Sequence, residues 1–295
     1  LLVPAREVQA NGLGPDQGGQ LAGHERYGRG SEAARQPGRP AVIVDTHAHL
    51  ADPAFDADLP EVLRRSREAG VERIVVVAEG PEDAHRVLDL CRRYPGLRAA
   101  LGLCPGRADP EDAERLVALI LERREEVVAV GEVGLDYWLA RDAEARDLQA
   151  RVLERFIDVA TDLDLPLNVH SRSAGRQVIE RLRSRGVSKV QLHAFDGRAV
   201  KAAAAVEAGY YFSVPPSVVR SEQKRRLVRA LPLECLLLES DSPVLGPEPG
   251  ARNEPANVLV AAREVAALKG LELETVLEAA DRGVRALYGR RLVGG

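Results

Sequence analysis

Eight short apolar runs, each followed by an amphipathic stretch, govern what this 295-residue chain can fold into. The runs are AVIVD (41–45), RIVVVA (73–78), LRAALGL (97–103), VVAVGE (127–132), PLNVH (166–170), SKVQLH (188–193), YYFSV (210–214) and CLLLE (235–239). Helical spacing of apolar residues fills 58–69, 81–94, 111–125, 141–164, 175–185, 198–208 and 221–230, then 255–268 and 273–288 after the last run. Near-continuous apolar strands belong to a parallel sheet covered on both faces. Eight strand–helix units in about 250 residues are the arithmetic of a TIM (β/α)8 barrel, an α/β fold. A doubly wound open sheet competes, but it would not place functional residues after so many different strands. No shorter repeat is present, which sets solenoids aside.

One domain is expected over residues 41–290, with a short tail at 291–295. Residues 1–40 hold eight glycines and four prolines and lack any period, so they cannot bury enough apolar surface to offset the entropy of ordering. They are expected to be a disordered or non-native extension. The chain has no methionine, even at position 1, and the native start is expected near Val42.

Hydrophobic residues make up 45% of the chain and charged residues 29%, enough apolar surface for a sizeable core. A net charge of −4 argues against an extended electropositive face for gripping duplex DNA, though metal ions can hold a phosphate locally. Cys91, Cys104 and Cys235 are odd in number and widely spaced, which argues against a disulfide framework or a cysteine-bound zinc. With no apolar run near the roughly 18 residues of a membrane span, a cytoplasmic protein without a membrane or an obligate protein partner is expected.

Chemistry concentrates where the apolar runs end. Four of the six histidines stand in three motifs: Asp45-Thr46-His47-Ala48-His49, Asn168-Val169-His170-Ser171-Arg172 and Gln191-Leu192-His193-Ala194-Phe195-Asp196-Gly197. Two acidic motifs follow the same plan, Gly131-Glu132-Val133-Gly134-Leu135-Asp136 and Leu238-Glu239-Ser240-Asp241-Ser242-Pro243. Imidazoles and carboxylates at successive strand ends suit a metal centre at one mouth of a barrel. His47 and His49, two apart on a strand, point the same way, and Asp45 is placed to orient an imidazole. Each histidine taken singly has a bland alternative, a core imidazole bonded to a backbone carbonyl; two on successive strand ends weaken it. Glu132 can bridge two metals through its two oxygens, with Gly134 letting the backbone turn away. A salt-bridged strand-end glutamate is the alternative. Asp241 can bind metal and accept a proton from attacking water, against a plain capping role. Glu239 lies on the same face but deeper. Arg172 is placed for a bidentate phosphate contact, Asn253 and Arg252 are weaker candidates for holding a nucleotide, and Tyr137 and Trp138 either stack on a base or pack in the core.

The motifs DTHAHL, GEVGLDY, NVHSRSAGR, LHAFDG and LLLESDSP, in this order and spacing, resemble the TatD family of metal-dependent deoxyribonucleases. SVPPSVVRSEQKRRLV and LGPEPGARNEPANV are closest to the branch that contains the third animal TatD-domain protein. The resemblance covers roughly Val42 to Arg290. It implies a TIM barrel with two divalent metal ions (magnesium, manganese or zinc) acting on DNA, often at single-stranded or 3′ ends. By position, it implies His47, His49 and Asp241 as ligands of one metal, His170 and His193 of the second, and Glu132 as their bridge. Glu132 and Asp241 then carry the catalytic roles. Where many members have Gly-x-His-Pro, this chain has Gly102-Leu103-Cys104-Pro105, so Cys104 stands at a position expected to meet substrate. The family's Glu-Thr-Asp reads Glu239-Ser240-Asp241, which keeps a hydroxyl.

Two other readings compete. An amidohydrolase or lactonase of the same superfamily would act on a small ester, lactone or phosphodiester. Many of these bridge their metals with a carboxylated lysine after strand 4, and none of the four lysines here lies near a strand end in that region. A non-catalytic metal-binding barrel is the other, and intact Glu132 and Asp241 argue against it.

Overall fold

The computed structural model describes residues 41–293, so the extension expected at 1–40 lies outside the described residues. Eight strands form one parallel sheet in chain order: β1 (Ile43–Ala48), β2 (Val71–Val77), β3 (Leu97–Leu101), β4 (Val127–Gly134), β5 (Leu167–His170), β6 (Val190–Leu192), β7 (Tyr211–Val214) and β8 (Leu236–Leu238). The last strand and the segment after it come back to the first. Thr46 Oγ1 donates to Leu238 O (2.9 Å), Asp241 N to His47 O (2.9 Å) and His49 N to Ser242 O (2.8 Å). These bonds bring the sheet round into a nearly closed barrel, the TIM architecture expected.

Helices α1 (Leu59–Glu68), α2 (Pro81–Arg93), α3 (Pro110–Glu122), α4 (Ala143–Asp162), α5 (Gly175–Ser184), α6 (Ala199–Glu207), α7 (Glu222–Ala230) and α8 (Val258–Lys269) follow the strands in turn. Their starts are written locally. In α3, Pro110 occupies the first turn, and Asp109 caps it by accepting from Glu111 N and Asp112 N. Gly270, left-handed at φ 64°, ends α8. In α5 the stripe Val178, Ile179 and Leu182 is buried against the sheet, each such side chain worth about 1.5–3 kcal/mol of burial.

The barrel interior changes character along its axis. At the strand starts, Val42, Val44, Val75, Val128 and Tyr211 pack against Val284, Leu287 and Tyr288 of α9 (Leu273–Tyr288). A final helix, α10 (Arg290–Val293), adds Leu292, which is 0% exposed. The packed chain therefore runs past residue 290, where a tail was expected, because Leu292 fills the apolar floor. Toward the strand ends the buried residues are Asn168, Gln191, Ser213, Glu239, His47 and Glu132. An apolar floor under a polar mouth places the site.

Candidate metal centre

Glu132 sits 4% exposed at the middle of the mouth, its two oxygens facing different histidines. Oε2 lies 3.6 Å from His47 Nε2 and 3.5 Å from His49 Nε2. Oε1 lies 2.7 Å from His170 Nδ1 and 3.4 Å from His193 Nε2. Asp241 Oδ1 joins the first group, 3.5 Å from His47 Nε2 and 3.4 Å from His49 Nε2. The two imidazole nitrogens within each group are 3.1 Å apart. His47 and His193, one from each group, stack nearly parallel with centroids 4.0 Å apart. All six residues read from the sequence as ligands thus meet at one point.

Donor chemistry and spacing fit a metal. Tetrahedral coordination at about 2.1 Å puts neighbouring donors about 3.4 Å apart, and five separations among His47, His49, Glu132 and Asp241 run from 3.1 to 3.6 Å. Buried Asp241 Oδ1 has no hydrogen-bond partner among the described residues, which a cation would remedy. The electrostatics agree. Burial opposes protonation of His47, yet Glu132 and Asp241 raise its pKa to about 10. At His170 burial is likewise outweighed by Asp136 and Glu132, giving about 9. Burial also opposes ionisation of Glu132, but His193, His170 and His47 hold it well below the usual carboxylate range. Without a cation, the carboxylates draw protons onto His47 and His170, whereas burial and then the charge of His47 push His193 down to about 4; a divalent ion answers the same demand for positive charge.

The residues behind the candidate ligands set their orientation. His170 Nε2 is 3.0 Å from Asp136 Oδ2, and His47 Nδ1 donates to Asn168 Oδ1 at 2.9 Å. Asn168 Nδ2 in turn donates to Thr46 O (3.0 Å). The imidazole-orienting role expected of Asp45 therefore falls to Asn168, because Asp45 Oδ1 is taken by Ser240 N and His47 N. Gln191 Nε2 donates to Thr46 Oγ1 and Ser213 Oγ (both 2.9 Å), and Tyr288 reaches up from α9 to donate to Gln191 Oε1 (2.5 Å). Glu239 accepts from Ser213 Oγ (2.6 Å) and Ala194 N (2.9 Å) beneath Asp241. Gly134 does not turn the chain away as expected: β4 continues to it, two residues past Glu132. A Cβ there would lie 2.0 Å from His170 O, so only glycine lets β4 approach His170 this closely.

Sequence reading missed Asp136, Asn168, Gln191 and Glu79 as parts of the site. Asn168 and Gln191 each stand two residues before a histidine, on the same strand face, so the parity that marked the histidines also marked them. Glu79 follows the RIVVVA run and β2, just as Glu132 closes its own run. Burial raises its carboxyl, with His49 acting in the opposite sense.

At the rim the expected substrate contacts separate. Arg172 is exposed, with its guanidinium 3.9 Å above the Trp138 ring. Cys104 is half-buried after β3, and burial followed by the nearby Glu132 pushes its thiol up to about 12, a neutral group where a histidine was the family pattern. Asn253 is corrected: it is 1% exposed, and its amide donates to Ser240 O and Val244 O while accepting from Asn257 Nδ2. With all these bonds made inside the protein, it shapes the loop after β8 instead of meeting a ligand. Arg252 is likewise committed, forked onto Asp58 at 2.7 and 2.6 Å. None of the four lysines ends β4; Lys224 Nζ, from α7, donates to Ala194 O (3.0 Å).

Barrels of this kind carry catalysis at the carboxyl ends of their strands, and imidazole–carboxylate clusters there serve metal-assisted hydrolysis. The protein is accordingly a metal-dependent hydrolase. The family model described as TatD related DNase matches residues 44–289, and the chain belongs to that family. It is 43% identical over 258 residues to Deoxyribonuclease TATDN3 of Homo sapiens, covering 83% of this chain and 94% of that protein. The metal-dependent hydrolase YabD of Bacillus subtilis is 33% identical over 255 residues, 84% of this chain and 99% of that one. Among solved structures, the TatD homologue YjjV of Escherichia coli superposes with TM-score 0.78 at 30% identity, covering 83% and 97% of the two chains. No helix among the described residues is long and apolar enough to cross a membrane.

Proposed function

We propose that the chain hydrolyses phosphodiester bonds of DNA, removing nucleotides from exposed 3′ ends, with two divalent cations held at the mouth of the barrel. One observation carries the reading: the two oxygens of a single carboxylate, Glu132, face separate imidazole pairs. A carboxylate so divided suits a bridge between cations held by His47, His49 and Asp241 on one side and by His170 and His193 on the other. Bound divalent cations supply Lewis-acid polarisation of a phosphoryl oxygen and make water acidic enough to attack near neutral pH.

The chain's own groups do the rest. Asp241 turns Oδ1 toward His47 and His49, leaving Oδ2 to take the proton of the attacking water. Asp241 is fixed for this in the left-handed region at φ 53°, its N–H donating to His47 O. Such a conformation is costly for most side chains and tolerated best by Asp and Asn. Asp136 and Asn168 hold His170 and His47 in one ring orientation. Arg172, two residues beyond His170, takes the scissile or adjoining phosphate in a bidentate contact. The names of the relatives, a deoxyribonuclease at 43% identity among them, support DNA over a small ester.

Metal counting tests the two-cation part directly. After loading with manganese or zinc and removal of excess, two equivalents per chain are expected by elemental analysis, and chelation should strip both and abolish hydrolysis reversibly. One equivalent in a fully active protein would contradict the bridged site.

A further inference from the structure

Trp138 is half exposed, whereas the aromatic rings of Phe55, Phe156, Phe195, Phe212 and Tyr210 are fully buried. Its neighbour Tyr137 is packed against the core with the Arg146 guanidinium 4.5 Å above its ring. The two aromatics left open by the sequence therefore divide: Tyr137 packs and Trp138 faces solvent. Over the indole sits Arg172 at 3.9 Å, and Arg141 flanks the same ring at 6.0 Å. Among the described residues the Arg172 guanidinium makes no hydrogen bond or close ion pair, its charge reaching the Asp136 carboxylate only through space, unlike Arg65, Arg155 or Arg252, each forked onto an acid. A guanidinium lying over a ring engages through its face, so its N–H edge is left for an acceptor from outside.

This pair is tied rigidly to the metal centre. Asp136 Oδ1 accepts from Trp138 N (3.0 Å) and Leu139 N (2.9 Å), while Oδ2 of the same carboxylate holds His170 Nε2 (3.0 Å). Tyr137 N donates to Arg172 O (3.0 Å), joining the loops after β4 and β5. One carboxylate thus sets both a ligand imidazole and the backbone of an exposed indole.

We propose that Trp138 and Arg172 form a platform that stacks one unpaired nucleobase beside the metal centre, the Arg172 edge taking the adjoining phosphate. The inference rests on the nuclease reading above and adds to it a substrate form. Base–aromatic stacking is open to any base with a free face. In an intact duplex both faces are covered by neighbours, so a base must leave the stack to reach the indole. Strand ends, gaps and single strands supply such bases most cheaply. Trp138 is also a positioning residue for Arg172, since its ring holds the guanidinium in place before substrate arrives.

The test uses the sole tryptophan of the sequence as its own reporter. The metal-loaded full chain is titrated with oligothymidylate carrying phosphorothioate linkages, which are cleaved slowly, while indole emission is followed. A saturable quench is expected from the single strand, little change from an abasic strand of equal length, and little from a blunt duplex. In parallel, anisotropy of an end-labelled strand should show Trp138→Ala binding about tenfold more weakly. Trp138→Phe, which keeps a ring, should lose less, and circular dichroism checks that both variants fold. Arg172→Ala should lower the slope of log affinity against log salt by about 0.7. Tight binding that leaves the emission unmoved, or that neither Trp138 variant weakens, overturns the platform. Cleavage of ordinary single strands under those conditions would leave the nuclease reading standing; absence of both binding and cleavage would sink the two together.

Discussion

Asp241→Asn is expected to lower turnover on DNA by about 10²–10⁴-fold, the usual cost of removing a positioned proton acceptor, while leaving the fold unchanged. The bonds that hold this residue are backbone bonds: Asp241 N donates to His47 O, and Asp241 O accepts from Val244 N. Neither is touched by exchanging a carboxylate oxygen for an amide. Asn also tolerates the left-handed conformation that Asp241 adopts at φ 53°, so no backbone strain is added. The amide can still turn its oxygen toward His47 and His49, and much of the metal binding should survive. What disappears is the capacity to take a proton. A loss in kcat with little change in metal content is the expected signature, and an unimpaired kcat would remove Asp241 from its proposed role.

Glu132→Gln should do more, because it strikes both halves of the centre at once. The carboxylate faces all four imidazoles at 2.7–3.6 Å, and an amide offers one acceptor oxygen where two are needed. Metal content should fall below one equivalent per chain, and activity should drop on the order of a thousandfold or more. That figure corresponds to about 4 kcal/mol of lost transition-state stabilisation, within the several kcal/mol a Lewis acid supplies. The variant's fold rests on packing around a strand that is buried throughout, so a soluble, folded and metal-poor protein is expected. Retention of two equivalents would show that Glu132 is not the bridge.

The barrel was legible because it is written in local terms. Apolar runs at regular spacing and Pro or Asp at helix starts need no knowledge of distant partners, and every strand and helix read from 41 to 288 appears within a few residues. The differences lie where long-range bonds set the limits. β1 continues through His47 to Ala48, helped by a register shift opposite β2 between Asp45 and Ala48. β4 outruns Glu132 because Gly134 can lie against His170. That His47, His49, Glu132, His170, His193 and Asp241 would come together was legible through strand parity and the family resemblance together.

The misassignments share one physical cause. Arg252 and Asn253 sit in a loop rich in Pro and Gly, which looks free in sequence. Their partners are remote: Arg252 is bound to Asp58, 194 positions away, and Asn253 to Ser240 and Val244. Tyr288 reaches Gln191 across 97 positions for the same reason. Asp45 was read as partner to an imidazole by proximity, but its Oδ1 accepts from Ser240 N, 195 positions on, while His47 Nδ1 bonds Asn168, 121 positions on. Periodicity reports which face a residue occupies, whereas hydrogen-bond partners depend on which strands become neighbours.

Hydrolysis of 5′-labelled single-stranded DNA by the metal-loaded chain, beside Asp241→Asn, tests the central claim most directly. A ladder is expected that shortens from the 3′ end, vanishes on chelation, returns with added metal, and is nearly absent in the variant. An intact oligonucleotide in the presence of folded protein carrying two equivalents of metal would contradict it.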